Sequence, residues 1–176
     1  MAKKAKSASP KLTSGSSPSD VLERSPIHLL HRASQCAGNI FQAEMGTEDL
    51  TPRQYALLVA IAQNEGLSQT DLVQRTGIDR STLADVIRRM LKKGLVQRRR
   101  TREDARAYAV KLTELGRRSL QACEPLARRV DQRILTALPN QEQRERFIAD
   151  LLTIVSALGS METTMIAEAP KGKRKT

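Results

Sequence analysis

The stretch DRSTLADVIRRMLKKG, residues 79–94, decides the fold of this 176-residue chain. Its apolar residues recur at helical spacing: Leu83, Val86, Ile87, Met90 and Leu91. This spacing predicts a helix with one buried face and a polar, largely basic outer face. The carboxylate of Asp79 can cap the N-terminus of the helix, and Gly94 can adopt the left-handed conformation that often ends one.

The residues before this helix predict a partner helix and a tight turn. Ser68 is followed three positions later by Asp71, a spacing close to a capping box, and Leu72 continues an apolar face. Gly77 then permits a short turn into Asp79. Two helices joined by a short turn that contains glycine predict a helix-turn-helix.

A β-hairpin is predicted directly after the second helix. Residues 95–101 favour a strand, residues 102–106 a loop, and residues 107–112 a return strand with alternating apolar side chains. A hairpin that follows a helix-turn-helix is typical of a winged helix. The arginine density of this hairpin favours phosphates or a DNA minor groove as its partner.

The overall charge favours a polyanionic partner. The net charge is +11 at pH 7, and the pI is about 10.3. Aromatic residues make up 2% of the chain and Trp is absent, which argues against single-strand binding on stacked rings. Double-stranded DNA is therefore the first predicted partner, and an anionic membrane surface the second.

Two polar, basic tails are predicted to flank the folded part. Residues 1–25 are rich in Lys, Ser and Pro, and residues 168–176 contain KGKRK, so both are expected to be disordered. Helices are expected to begin at Pro26 and at Pro52, because proline is tolerated at the first helical position.

Two long helices are predicted in the last third of the chain. The first is expected from Glu114 to near Leu138 with a kink or break at Pro125, and the second is capped by Asn140. The second helix carries a wide apolar stripe: Phe147, Ile148, Leu151, Leu152, Ile154, Val155, Leu158 and Met161. A stripe of this width exceeds what a small domain needs to seal its core, and it predicts pairing with another chain.

The order of these elements resembles the MarR family of bacterial transcription regulators. The resemblance covers roughly residues 26–165. It rests on the wing sequence Asp104-Ala105-Arg106, on Leu112-Thr113 with Gly116, and on the end of the recognition helix at residues 90–96. Each piece is weak alone, and their combination is fairly specific.

The resemblance implies a mainly α fold with a small β-hairpin wing. A winged helix-turn-helix domain would span residues 51–116. An N-terminal dimerisation helix, residues 26–50, and C-terminal dimerisation helices, residues 117–167, would flank it.

The resemblance also implies a function. The chain would be a homodimer in the bacterial cytoplasm, associated with the nucleoid, that represses transcription from a pseudo-palindromic operator in double-stranded DNA. A small molecule bound between the dimerisation and DNA-binding parts would release it, and an aromatic acid or its coenzyme A thioester is the suggested effector. No cofactor and no membrane partner are expected.

The predicted DNA contacts form two sets. The recognition-helix set is Arg80, Ser81, Thr82, Asp85, Arg88 and Arg89. The wing set is Arg98, Arg100, Arg102, Asp104 and Arg106. Arg106 is the leading candidate, positioned by Asp104. A carboxylate at Asp85 repels phosphate, so Asp85 is expected to contact a cytosine amino group or to pair with Arg88 or Arg89.

Residues on the first and second predicted helices are the candidates for effector binding: His28, His31, Arg32 and Tyr55. Arg32 is suited to a carboxylate or phosphate, or alternatively to an ion pair between subunits. His28 and His31 share a helical face, but Cys36 lies about 140° around from His31, so no metal site is predicted.

A cysteine-based redox regulator is one alternative function. Peroxide-sensing members of the resembled family carry the reactive cysteine near the start of the first helix, at about the position of His28 here. Cys36 and Cys123 are therefore expected to pack as small apolar groups. A non-specific architectural DNA-binding protein is the other alternative. No enzyme is expected, since the phosphate-loop, HExxH and nucleophile-elbow motifs are missing from the sequence.

Overall fold

The computed structural model describes residues 18–64, 66–100 and 108–168. The elements in these ranges are α1 (Pro18–Glu23), α2 (Pro26–Met45), α3 (Pro52–Gln63), α4 (Gln69–Thr76), α5 (Arg80–Lys92), β1 (Val96–Arg100), β2 (Tyr108–Leu112), α6 (Glu114–Leu135) and α7 (Gln141–Glu168). The predicted fold class, mainly α with a small β-hairpin, is confirmed. The residues form two compact units, one up to Glu124 and one from Pro125 onward.

Side-chain caps begin the helices where the sequence predicts them. The Gln54 N–H donates to Thr51 Oγ1 at 3.3 Å, and the Thr51 N–H donates to Gln54 Oε1 at 3.0 Å. Ser68 and Asp71 form the same reciprocal pair, with N–H to oxygen distances of 2.9 and 3.2 Å. These boxes satisfy amides that have no partner within the first turn, and so they define where α3 and α4 start.

The core of the first unit forms where α3, α4 and α5 meet. Leu83, Val86, Ile87 and Met90 on α5 are at most 1% exposed, as the helical spacing predicts. Leu91, predicted on the same face, is only half-buried, because it lies at the edge of that face. Burial of each such side chain contributes about 1.5–3 kcal/mol, so α5 is held mainly by its inner face.

The hairpin is attached to the helix-turn-helix by its second strand. β1 and β2 are antiparallel, with Val96 opposite Leu112. The Val110 N–H donates to the Leu67 carbonyl at 3.1 Å, just before α4. Val96, Val110 and Leu112 are buried, so the hairpin packs its apolar side chains into the core of the first unit.

Two expectations from the sequence need correction. Residues 18–23 form the short helix α1 within the segment predicted to be disordered; Pro18 starts it, and the Leu22 carbonyl accepts from the Ser25 N–H at 3.2 Å. Of the kink or break predicted at Pro125, the break is wrong, because α6 continues through this residue, and the kink stays a prediction. Proline removes the hydrogen bond to the carbonyl of Gln121, and Gln121 is exposed, so water can replace that bond.

The second unit ends in α7, whose apolar stripe is largely exposed. The Asn140 side chain caps α7 by accepting from the Gln143 N–H at 2.9 Å, as predicted. The exposed members of the stripe are Phe147, Ile148, Leu152, Ile154, Val155, Leu158 and Met161. Among the described residues, no helix combines the length and the hydropathy needed to cross a membrane.

Candidate nucleic-acid interface

The outward face of α5 carries the predicted contact residues. Arg80, Ser81, Arg88 and Arg89 are exposed, and Asp85 is half-buried. Thr82, the remaining member of the predicted set, is also half-buried. Because the opposite face is fully buried, the helix can present these side chains only to solvent or to a partner.

The first turn of α5 is held by the Asp79 cap. Asp79 Oδ1 accepts from the Ser81 hydroxyl at 2.6 Å and from the Thr82 N–H at 2.9 Å. The bond from Ser81, then those from Thr82, hold the pKa of the Asp79 carboxyl well below its usual range. The Ser81 proton is thus used within the helix, and its oxygen can only accept from outside, for example from a base amino group.

Asp85 joins the two arginines of the next turn. Its Oδ1 lies 3.1 Å from Arg88 Nη1, and its Oδ2 lies 3.0 Å from Arg89 Nη2. The predicted pairing of Asp85 is thereby confirmed for both arginines. The side chains of Arg88 and Arg89 are 74% and 58% exposed, so the pairs are weak and can be exchanged for contacts with DNA.

The structure describes only part of the wing set. Arg98 and Arg99 are exposed neighbours on β1, and adjacent strand residues point to opposite faces of the hairpin. Arg100 ends β1 opposite Tyr108, and nothing is described of its side chain. Arg102, Asp104 and Arg106 lie outside the described residues, so the contacts predicted at the wing tip stay predictions.

The four predicted effector residues do not lie together in space within one subunit. His28 is half-buried on α2, while His31 and Arg32 are exposed. Tyr55 lies on α3 with its ring centroid 5.9 Å from that of Phe41. Phe41 is 13 residues beyond His28 on α2, about 20 Å along the axis, so Tyr55 is far from the histidines within one subunit.

The two cysteines differ in their surroundings. Cys123 is fully buried, as expected of a small apolar group. Burial raises the pKa of its thiol, and the Glu48 carboxylate adds to the rise. Cys36 is exposed, so the expectation that it packs as a small apolar group is wrong for the single chain. The buried residues of α2 are Phe41 and Met45.

A long-range ion pair joins Lys93, the residue after α5, to the loop before α3. Lys93 Nζ donates to Asp49 Oδ2 at 2.7 Å and to the Asp49 carbonyl at 2.6 Å, across 44 residues of sequence. The sequence predicts for Lys93 only a favourable position near the negative end of a helix dipole. No local sequence pattern predicts this ion pair, because its two residues are 44 positions apart. In the structure the Lys93 side chain points toward the loop before α3.

A groove beside the turn of the helix-turn-helix was also missed. It lies between the start of α3 and the turn from α4 to α5, with a volume of about 360 Å³. Its lining is Pro52, Arg53, Ala56, Thr76, Gly77, Ile78 and Asp79. No sequence pattern predicts it, because residues 52–56 meet residues 76–79 only in the folded chain.

Known proteins resemble this chain in sequence. A family model described as MarR family matches residues 48–107. The transcriptional regulator HosA of Escherichia coli is 34% identical over 122 residues, which are 69% of this chain and 89% of HosA.

Solved structures resemble it as well. BpsR of Bordetella bronchiseptica, whose DNA binding is regulated by 6-hydroxynicotinic acid, superposes with a TM-score of 0.68 at 29% identity, over 76% of this chain and 94% of BpsR. The transcriptional repressor CouR on a 23-mer DNA duplex gives a TM-score of 0.70 at 26% identity, over 80% and 99%. CouR bound to p-coumaroyl-CoA gives 0.69 at 27% identity, over 82% and 98%.

Proposed function

This chain belongs to the MarR family of transcriptional regulators, and we propose that it is a dimeric, sequence-specific repressor that a small aromatic effector releases from its operator. The observation that carries the proposal is the division of α5 into two faces. Leu83, Val86, Ile87 and Met90 are at most 1% exposed, and the arginines of the other face are exposed. A helix whose apolar face packs in the core and whose basic face is exposed to solvent is suited to a DNA groove.

The dimensions of α5 fit this role. Its 13 residues span about 20 Å, and the major groove of B-DNA admits one α-helix. Arg80 and Ser81 at the start of α5 would contact base edges, with Arg88 and Arg89 about two turns further on. Arg98 would contact the flanking backbone. The wing-tip residues Arg102, Asp104 and Arg106, together with Arg100, are proposed for the adjacent minor groove.

Exposed apolar side chains support a dimer. On α7, Leu152, Val155 and Met161 are 60–68% exposed, and Ile27 on α2 is 78% exposed. Apolar stripes of this kind usually mark an interface with another chain. A second copy of this chain would bury them and place two copies of α5 on the same duplex.

Two observations support an aromatic effector: the ligands of similar solved structures and the polar side chains on α2. BpsR responds to an aromatic acid and CouR binds an aromatic coenzyme A thioester. The exposed Arg32 and His31 can bind the carboxylate or phosphate of such a ligand, and His28 lies one turn before Arg32. Tyr55 on α3 lies beside Phe41, which is about 20 Å from His28 along the α2 axis, so a ligand that contacts both Tyr55 and His28 would have to be as extended as a thioester of coenzyme A.

Fluorescence anisotropy on duplex DNA from upstream of its own gene tests the proposal. Binding should survive an excess of random duplex, and protection should cover two half-sites about one helical turn apart. An Arg88→Ala variant should lose discrimination at one operator position, whereas Arg146→Ala, on α7, should not. Binding that disappears under random competitor would instead show a non-specific architectural protein.

The effector is tested on the same complex. Addition of 6-hydroxynicotinate or p-coumaroyl-CoA should lower the anisotropy if either compound represents the ligand class. Arg32→Ala should weaken that response without changing the affinity for DNA when no effector is present. A response unchanged in Arg32→Ala would remove Arg32 from the effector site.

A further inference from the structure

The groove between α3 and the helix-turn-helix turn opens beside the end of α5 that would enter DNA. Asp79 lines the groove and is also the residue that caps α5. Arg80 and Ser81 follow directly, and both are exposed. Recognition helices contact base edges mainly with their N-terminal residues. The major groove is only about 12 Å wide, so a residue alongside that end of the helix lies against a sugar-phosphate strand.

Arg53 is the cation of this groove. It is the second residue of α3 and is exposed. Within residues 18–64, 66–100 and 108–168, its guanidinium takes part in none of the ion pairs. The other lining residues apart from Asp79 are uncharged, and Ala56 and Gly77 are small enough to let a ligand approach.

The Asp79 carboxylate does not cancel this charge. Its Oδ1 accepts from the Ser81 hydroxyl and the Thr82 N–H, and it sits at the positive end of the α5 dipole. Its negative charge is therefore partly compensated within α5. Arg53 has no comparable partner among the residues that the structure describes, and a guanidinium without an ion pair favours an oxyanion.

We propose that Arg53 binds a phosphate of the DNA backbone in this groove, beside the strand that borders the base contacts of α5. The inference rests on the proposed DNA-binding function and extends it to α3. A contact of this kind positions the helix-turn-helix on the duplex and carries no base information. It is absent from the sequence-predicted contacts, all of which lie on α5 or the wing.

Measuring DNA affinity at several salt concentrations distinguishes a phosphate contact of Arg53 from the general effect of removing one positive charge. The variants are Arg53→Ala, Arg53→Lys and the control Arg146→Ala, which removes the same charge from an exposed residue of α7. Affinities for the operator and for a random duplex are measured by anisotropy from about 50 to 300 mM NaCl. Each phosphate contact contributes a slope of about 0.9 in log affinity against log salt.

Arg53→Ala should lower the slope by about 0.9 and weaken binding about fivefold at 0.15 M salt, equally for operator and random DNA. Arg53→Lys should keep most of the slope, because it keeps the charge. Arg146→Ala should match the unmodified protein.

Equal slopes for Arg53→Ala and Arg146→Ala would overturn the proposal, and so would a loss confined to the operator, which would indicate a base contact. These outcomes leave the proposed function standing. Its own failure is a different result, namely an unmodified protein that does not prefer the operator to random DNA.

Discussion

The Thr113 hydroxyl donates to the carbonyl oxygen of Gly94 at 2.6 Å, across 19 residues of sequence. The same hydroxyl oxygen accepts from the Gly116 N–H at 3.0 Å, and the Thr113 N–H donates to the Leu95 carbonyl at 3.1 Å. These bonds tie the residues that follow α5 to the start of α6. The Leu-Thr and Gly pattern noted in the sequence therefore has a structural role at the point where the wing returns to the helices.

Replacement of Gly116 by Ala should destabilise the first unit. A Cβ at this position would overlap the carbonyl oxygen of Leu95, a backbone atom that cannot move aside on its own. The expected loss is about 1–3 kcal/mol in the free energy of unfolding, measured by urea denaturation. Gly38→Ala on α2 is the control; with no atom within 4 Å of the added Cβ, it should be neutral or slightly stabilising. Equal stability of the two variants would contradict the close approach of Gly116 to Leu95.

Stability should fall in acid partly through Asp79. Its hydrogen bonds lower the pKa of the folded state below the ordinary value of 3.8, so the carboxylate stabilises α5 above that pH. The stabilisation decreases as the pH falls below 3.8, because the unfolded chain binds the proton first, and it is fully lost only when the pH falls through the lower pKa of the folded state. Asp79→Asn keeps a side chain that can cap, but removes the titration. Its urea midpoint should therefore change less than that of the unmodified protein between neutral pH and about pH 3. Parallel pH profiles would show that Asp79 does not contribute.

Replacement of Asp85 by Asn should make DNA binding tighter and less selective. The change releases Arg88 and Arg89, which Asp85 holds at 3.1 and 3.0 Å. Affinity for random duplex should rise and the salt slope should steepen by about 1, measured by competitor titration. Asp150→Asn is the matched control, since Asp150 pairs with Arg146 on α7 at 3.9 Å. An unchanged ratio of operator to random affinity would mean that Asp85 does not restrain the two arginines.

Replacement of Val155 by Glu should separate the proposed dimer. Val155 is 68% exposed, so the charge costs little in the isolated subunit but a great deal in an apolar interface. Sedimentation should give the mass of one 19.5 kDa chain for the variant and twice that mass for the unmodified protein. Thr153→Glu, exposed and about 160° away around α7, should remain dimeric. A dimeric Val155→Glu variant would place the interface elsewhere.

Helix starts can be predicted from the sequence because the hydrogen bonds that define them join residues close together in the chain. The capping pairs Thr51 with Gln54 and Ser68 with Asp71 are three residues apart, so their hydrogen bonds follow once the backbone is helical. A helix break at Pro125 cannot be decided from the sequence, because the cost of a proline depends on whether the carbonyl that it leaves without a partner can reach water. For Cys36 the error was similar, since residue type indicates a preference for burial but not which face of α2 finds a partner.

The sequence by itself determined the helix-turn-helix, the hairpin and the basic face of α5, because helical and strand periodicities are properties of neighbouring residues. Only the tertiary structure decided which distant residues meet. It paired Lys93 with Asp49, placed Gly116 against Leu95, and brought Arg53 to the groove beside Asp79. Each of these contacts depends on how α3, α5 and α6 pack around the core. Packing is set by the fit of many side chains at once, and no short stretch of sequence encodes it.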